Sequence, residues 1–122
     1  MKLLIIDDAD AVRPRLADVL GEIDGLAVST CAPSAGGIME VIRNQAPDII
    51  VIDIRIPGGA LNLIRAIKSG AHPPVVMALS SSTSIQYRAA CHRAGAEYFF
   101  DKVNEQARLA EAVVELQKEL VC

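Results

Sequence analysis

Five short apolar runs rich in β-branched residues recur along the chain, and this recurrence restricts the fold more than any other feature. The runs are KLLII at 2–6, LAVST at 26–30, DIIVIDI at 48–54, PVVMAL at 74–79 and EYFF at 97–100. Each has the length and make-up of a strand. The stretches between them carry apolar residues at helical spacing: Val12, Leu16, Val19, Leu20 and Ile23, then Ile38, Val41 and Ile42, then Leu61, Ile64 and Ile67. A fourth segment, about 84–94, has mainly Ile85 and three alanines as its apolar content, so it is expected to pack least firmly. A last helix follows with Leu109, Val113, Leu116 and Leu120 on one face.

Strands that alternate with helices run parallel, joined by right-handed crossovers, in a sheet covered on both faces. The strands are continuously apolar rather than alternating, as burial on both sides requires. The predicted class is therefore α/β. Breakers fall where the scheme needs them, at Gly25, Pro33, Pro47, Gly58-Gly59, Gly70, Pro73-Pro74 and Gly95. Pro14 is tolerated only in a first helical turn, which starts the first helix near Ala11. At 122 residues the chain is expected to form one domain over 1–122, with a core that needs no metal or disulfide staple. Nothing after the last helix, which ends in ELQKELVC, resembles an output domain.

Although 52% of the residues are hydrophobic, no stretch approaches the roughly 20 uncharged apolar residues that span a bilayer. Only four apolar residues separate Lys2 from an acidic pair, unlike a secretory signal. A cytoplasmic, membrane-independent protein is expected. Cys31, Cys91 and Cys122 are an odd, widely spaced set that fits reduced thiols rather than a disulfide framework or a zinc site. A net charge of −3 with no basic cluster argues against direct nucleic-acid binding. His72 and His92 have no catalytic partner nearby in sequence, and the EYFF aromatics read as edge-strand packing.

All strands of a parallel sheet end on one rim, and ligands bind beyond it. At those ends stand Asp7 and Asp8 after the first run, Asp53 in the third, Ser80 after the fourth and Lys102 after the fifth. Singly, each has an ordinary reading as a cap, a loop residue or a surface charge. Together, three carboxylates at one rim repel one another and call for a cation. An all-oxygen set without His or Cys suits Mg²⁺, which keeps waters and shares positions with phosphate oxygens. If the strand order is 2-1-3-4-5, the first and third strands are neighbours about 4.8 Å apart. Lys102, two strands from Asp53, has the long stem needed to cross that gap.

With these residues in place, the chain resembles the receiver domains of bacterial two-component response regulators. The resemblance rests on IIDDAD, DIIVIDIRIPG, VVMALSS and AGAEYFFDK, in order and over essentially the whole chain. It implies a flavodoxin-like (βα)5 three-layer sandwich. It also implies that Asp53 accepts a phosphoryl group from a sensor histidine kinase or a histidine phosphotransfer protein. Asp8, Asp53 and the backbone carbonyl of Arg55 would ligate Mg²⁺, with Asp7 acting mainly through a bound water. Lys102 and Ser80 would meet the phosphoryl oxygens, consistent with transfer by positioning and charge neutralisation. Ser80 and Phe99 would form a switch that changes a surface read by an effector or output domain, with a homodimer as one outcome of phosphorylation. Phe99 lacks a phenol hydroxyl, so its two rotamers would differ in packing alone.

The chain departs from the family's pattern at three places. Val103 follows Lys102 where proline joined by a cis peptide is usual; a non-proline cis bond costs about 2.5–4 kcal/mol, so a trans bond and a re-routed loop are expected. PGGALNLIR is about one residue shorter than usual, leaving Gly58 and Gly59 to supply flexible backbone. Arg55, two residues past Asp53, either projects from the rim to pair with an acid or stands in solvent. These departures motivate a second reading, a degenerate receiver that binds protein without being phosphorylated. A Mg²⁺-dependent phosphatase is a third, disfavoured because Arg55 occupies the place of a second, acid/base aspartate.

Overall fold

In the computed structural model the elements follow the order read from the sequence. They are β1 (Lys2–Ile6), α1 (Val12–Gly21), β2 (Ala27–Cys31), α2 (Ile38–Gln45), β3 (Ile49–Asp53), α3 (Ala60–Lys68), β4 (Val75–Ser80), α4 (Ile85–Ala94), β5 (Tyr98–Asp101) and α5 (Gln106–Val121). The structure describes residues 1–33, 37–56, 59–81 and 85–121, and the side chains of all of these except Ile85, Leu120 and Val121. The expectations placed on Gly58, Cys122 and the side chains of Ile85 and Leu120 lie outside the described residues.

The five strands are all parallel, in the order β2-β1-β3-β4-β5. All five residues of β3 are buried, as the central position of this strand demands. Odd and even strand positions point to opposite faces. Leu4, Ile6, Ile50, Ile52, Val76, Ala78 and Phe99 meet the buried residues of α2, α3 and α4 on one face. On the other, Leu3, Ile5, Val51, Met77 and Leu79 meet Leu16 and Leu20 of α1 and Leu109, Val113 and Leu116 of α5. These are two separate hydrophobic layers, so a continuously apolar strand feeds both.

The first helix begins where Pro14 allows, with Ala11 as its cap. It ends at Gly21, earlier than the periodicity suggested: Ile23 lies in a turn, its N–H on the Leu20 carbonyl at 3.1 Å, yet still packs against the α1/α5 layer. Among the described side chains of α4 only Cys91 and Ala94 are buried, in keeping with its weak apolar face. Burial pushes the Cys91 thiol pKa up, away from reactivity.

Gly95, between α4 and β5, has φ of +118°, a conformation side chains other than glycine rarely adopt. A Cβ there would lie 2.8 Å from Cγ of Lys68. That side chain is held at its far end by the Pro74 carbonyl and by Glu97, both at 2.8 Å, so it has little room to yield. Gly95→Ala is expected to lower stability by about 2 kcal/mol, read as an earlier midpoint in urea denaturation.

Candidate functional site

The parallel register carries the strand ends to one rim. Ile6 pairs with Ile52, Asp53 with Leu79, and Ser80 with Asp101, which brings Asp7, Asp53, Ser80 and Lys102 to neighbouring strand ends. Asp7 extends β1 by one bond, its N–H on the Cys31 carbonyl at 3.2 Å, and is 1% exposed. Its Oδ1 accepts the Ala9 N–H at 2.8 Å. Asp53 is the last residue of β3, and its Oδ1 accepts the Arg55 N–H at 3.0 Å.

Lys102 joins the two acids. Its Nζ donates to Oδ2 of Asp53 at 2.6 Å and stands 2.8 Å from Oδ2 of Asp7. The side chain crosses from β5 over β4, as the strand order requires of it. Burial opposes the charge on Lys102, but contact with Asp53 and Asp7 and the negative charge of both outweigh it, so its pKa is raised. The stabilisation from this raised pKa is fully present below the unfolded lysine value of about 10.4 and is lost as pH rises through the higher folded value. In thermal melts the advantage of wild type over Lys102→Met should therefore persist at neutral pH and shrink only above about pH 10.4.

The cation that the acidic rim calls for is thus supplied, for Asp7 and Asp53, by the chain itself. Among the described residues no three His, Cys, Asp or Glu side chains converge closely enough to hold a metal. The Oδ2 of Asp7 is nonetheless buried and, despite its ionic contact, has no donor aligned in hydrogen-bond geometry among the described residues. That buried oxygen, met by an ammonium and beside a second carboxylate, is all-oxygen chemistry of the kind Mg²⁺ takes. Asp8, next in the chain after Asp7, is partly buried.

Ser80 is fully buried at the end of β4, and its carbonyl accepts the Lys102 backbone N–H at 2.9 Å. Phe99 is buried in the core layer under α4, and the Arg88 guanidinium lies 5.1 Å from its ring centroid. Such a contact holds the ring inward. Arg88→Ala is expected to lower stability by about 0.5–1 kcal/mol, measured by denaturation, with a Phe99→Leu background removing the difference. Arg55 resolves toward solvent: its side chain is exposed, while only its backbone N–H meets Asp53. No cis peptide bond occurs among the described residues, so Lys102–Val103 is trans as expected. The loop delivers the ammonium to both carboxylates.

Four residues outside the sequence reading act around the site. Arg13 of α1 donates to the Asp7 carbonyl at 2.8 Å and to Asp10 at 2.9 Å, tying down the turn that carries Asp7. Asp101 and Glu105 brace the turn after β5, and Arg88 covers Phe99. Asp101 and Glu105 stand one residue further apart than the capping-box spacing, so the brace carried no standard signal. Arg13 and Arg88 carried none. A groove of about 500 Å³ between α2 and α3, lined by Met39, Arg43, Asp48 and His72 among others, opens at the opposite rim and is unconnected with this chemistry.

A rim of two buried acids bridged by a lysine, on a parallel sheet of this order, defines a receiver-type α/β protein. The sequence matches the response regulator receiver domain over residues 3–114, and the chain belongs to that family. It is 30% identical over 115 residues to the response regulator GacA of Pseudomonas syringae pv. syringae, covering 93% of this chain and 53% of that protein. It is 32% identical over 124 residues to a protein-glutamate methylesterase/protein-glutamine glutaminase of Myxococcus xanthus, covering 99% of this chain and 35% of that one. The chain therefore spans about half, or less, of the length of these relatives. Its fold superposes on the signal receiver domain of the putative response regulator NarL from Mycobacterium tuberculosis with TM-score 0.83, at 22% identity and covering 96% and 95% of the two chains. The N-terminal domain of a protein from Wolinella succinogenes gives TM-score 0.85 at 26% identity, covering 99% and 97%. No helix among the described residues is long and apolar enough to cross a membrane.

Proposed function

We propose that residues 1–122 act as a phosphoacceptor switch in the cytoplasm, taking a phosphoryl group from a phosphohistidine of a sensor kinase or phosphotransfer protein onto Asp53. The observation that carries this reading is the Lys102 ammonium 2.6 Å from Asp53 and 2.8 Å from Asp7. In the reaction the N–P bond of the donor breaks as a bond forms between an Asp53 carboxylate oxygen and phosphorus, and the electron pair returns to the imidazole nitrogen. Lys102 has only to swing its ammonium from the carboxylate onto the incoming phosphoryl oxygens, and Ser80 offers them a hydroxyl. Mg²⁺, held by Asp7, Asp8, Asp53 and the Arg55 carbonyl, would supply the remaining charge neutralisation.

The Arg55 N–H fixes Asp53 Oδ1, which orients the nucleophile before the donor arrives. Beyond its own phosphorylation and dephosphorylation the chain has no turnover chemistry in this reading. Ser80 and Phe99 then couple the site to α4, β5 and α5, whose altered surface an effector, an output domain or a second copy would read. The test is intact-mass analysis with Mg²⁺ and a small phosphodonor: wild type should gain one phosphoryl group and Asp53→Asn none. A wild type that gains nothing, and takes up no beryllofluoride, would leave the phosphorylation-independent binding module as the correct reading.

A further inference from the structure

The turn after β5 is held by more bonds than a surface turn needs. Oδ1 of Asp101 accepts the N–H groups of both Val103 and Asn104, each at 2.8 Å. The Glu105 carboxylate reaches back to accept the Asp101 N–H at 2.9 Å, while the Glu105 N–H bonds the Asp101 carbonyl at 3.1 Å. Glu105 then leads into α5, its carbonyl accepting the Leu109 N–H at 3.0 Å. Lys102 sits inside this brace, its own N–H on the Ser80 carbonyl at 2.9 Å and its carbonyl taken by Gln106 Nε2 at 3.0 Å. Asp101 is 7% exposed and Lys102 9%, whereas Val103 is 72% exposed. Val103 therefore contributes to the turn through its N–H, not by packing.

We propose that Asp101 and Glu105 are positioning residues that lock this turn through the backbone N–H groups of Val103, Asn104 and Asp101, and so hold the Lys102 ammonium between Asp7 and Asp53. The bond from Val103 is one that proline at that position could not make. Hydrogen bonds from backbone N–H to an ionised carboxylate are among the stronger ones available. A long lysine stem has many rotamers, and fixing its Cα and both flanking peptides removes the backbone freedom that would otherwise add to them. The negative charge that Asp101 adds beside Lys102 is absorbed by these N–H groups, which hold its pKa below the usual aspartate range.

The first test reads lysine position without any phosphorylation. The folded chain is acetylated to low occupancy with an N-hydroxysuccinimide ester and each lysine is quantified by peptide mass spectrometry. In wild type Lys102 should label far more slowly than the exposed Lys118. Asp101→Ala should raise Lys102 labelling about tenfold while leaving Lys68, which is also largely buried, unchanged. Asp101→Asn keeps an Oδ1 acceptor and should stay within about twofold of wild type. Should Asp101→Ala not fold, Glu105→Ala replaces it, with the same rise expected at Lys102 alone. Wild-type labelling of Lys102 in the folded alanine variant overturns the proposal, as does a parallel rise at Lys68 and Lys102, or an asparagine variant that labels like alanine.

A second arm rests on the phosphoacceptor reading: Asp101→Ala should slow Asp53 phosphorylation about tenfold, and Asp101→Asn should restore it. A wild type that is not phosphorylated defeats that reading, while the labelling result still decides the positioning role. Unchanged phosphorylation in Asp101→Ala beside a competent wild type defeats the positioning role alone.

Discussion

Lys102→Met is expected to slow phosphorylation of Asp53 about 100-fold and to lower stability by about 2–3 kcal/mol at neutral pH. Under the proposed reaction the rate effect follows because the ammonium already stands 2.6 Å from Asp53, where charge would develop. Removing one such preorganised charge from a transfer site typically costs two to three powers of ten. The stability effect has a different origin. Without Lys102, Asp7 and Asp53 face each other as buried carboxylates, and losing one member of a buried ion pair leaves the other uncompensated. The side chains of Lys102 and Asp53 are each about 10% exposed, so water recovers some of the loss, which places the expected value just below that class. Urea denaturation at a series of pH values measures the stability part and intact mass the rate part. A variant as stable as wild type at pH 7 would mean that the two acids do not feel each other.

Much of this site could be read from strand ends alone. Asp53 and Lys102 close the third strand and follow the fifth, and parallel pairing leaves them nowhere to go but one rim. Coverage of the sheet on both faces followed from the same patterns, because the runs are continuously apolar, whereas the strand order was not legible in the runs themselves. What the pattern hid is that Lys102, whose reach to Asp53 was expected, also meets Asp7. The rim acids called for a cation, and Lys102 answers for two of them; a side chain bridging two strands leaves no periodic trace. The brace of Asp101 and Glu105 was equally hidden, since it depends on which backbone N–H groups a turn presents and not on hydrophobic spacing. At Ile23 the apolar period continued past the end of α1, because a turn residue can pack against the same layer without being helical.

Ile52→Ala, one residue before Asp53, is expected to cost about 3–4 kcal/mol of stability. Ile52 is completely buried in the middle strand, paired with Ile6 on one side and Ala78 on the other, within the layer that α2, α3 and α4 cover. Ala78 is already small, so the strand on that side cannot fill the space with its own side chain. The vacated volume must then stay largely open, which is the condition under which a truncation costs most. Against a typical total of about 5–15 kcal/mol, the loss is a large fraction of what keeps a domain folded. The backbone ladder through Asp53 should persist, because its bonds run to β1 and β4 and involve no side chain. Two measurements therefore should part company: the urea midpoint falls sharply, while Lys102 of the folded fraction stays as protected from acetylation as in wild type. If Lys102 protection fell along with stability under conditions where the variant is folded, the sheet would be transmitting core packing to the rim, and the ion cluster would depend on the layer beneath it as well as on the turn beside it.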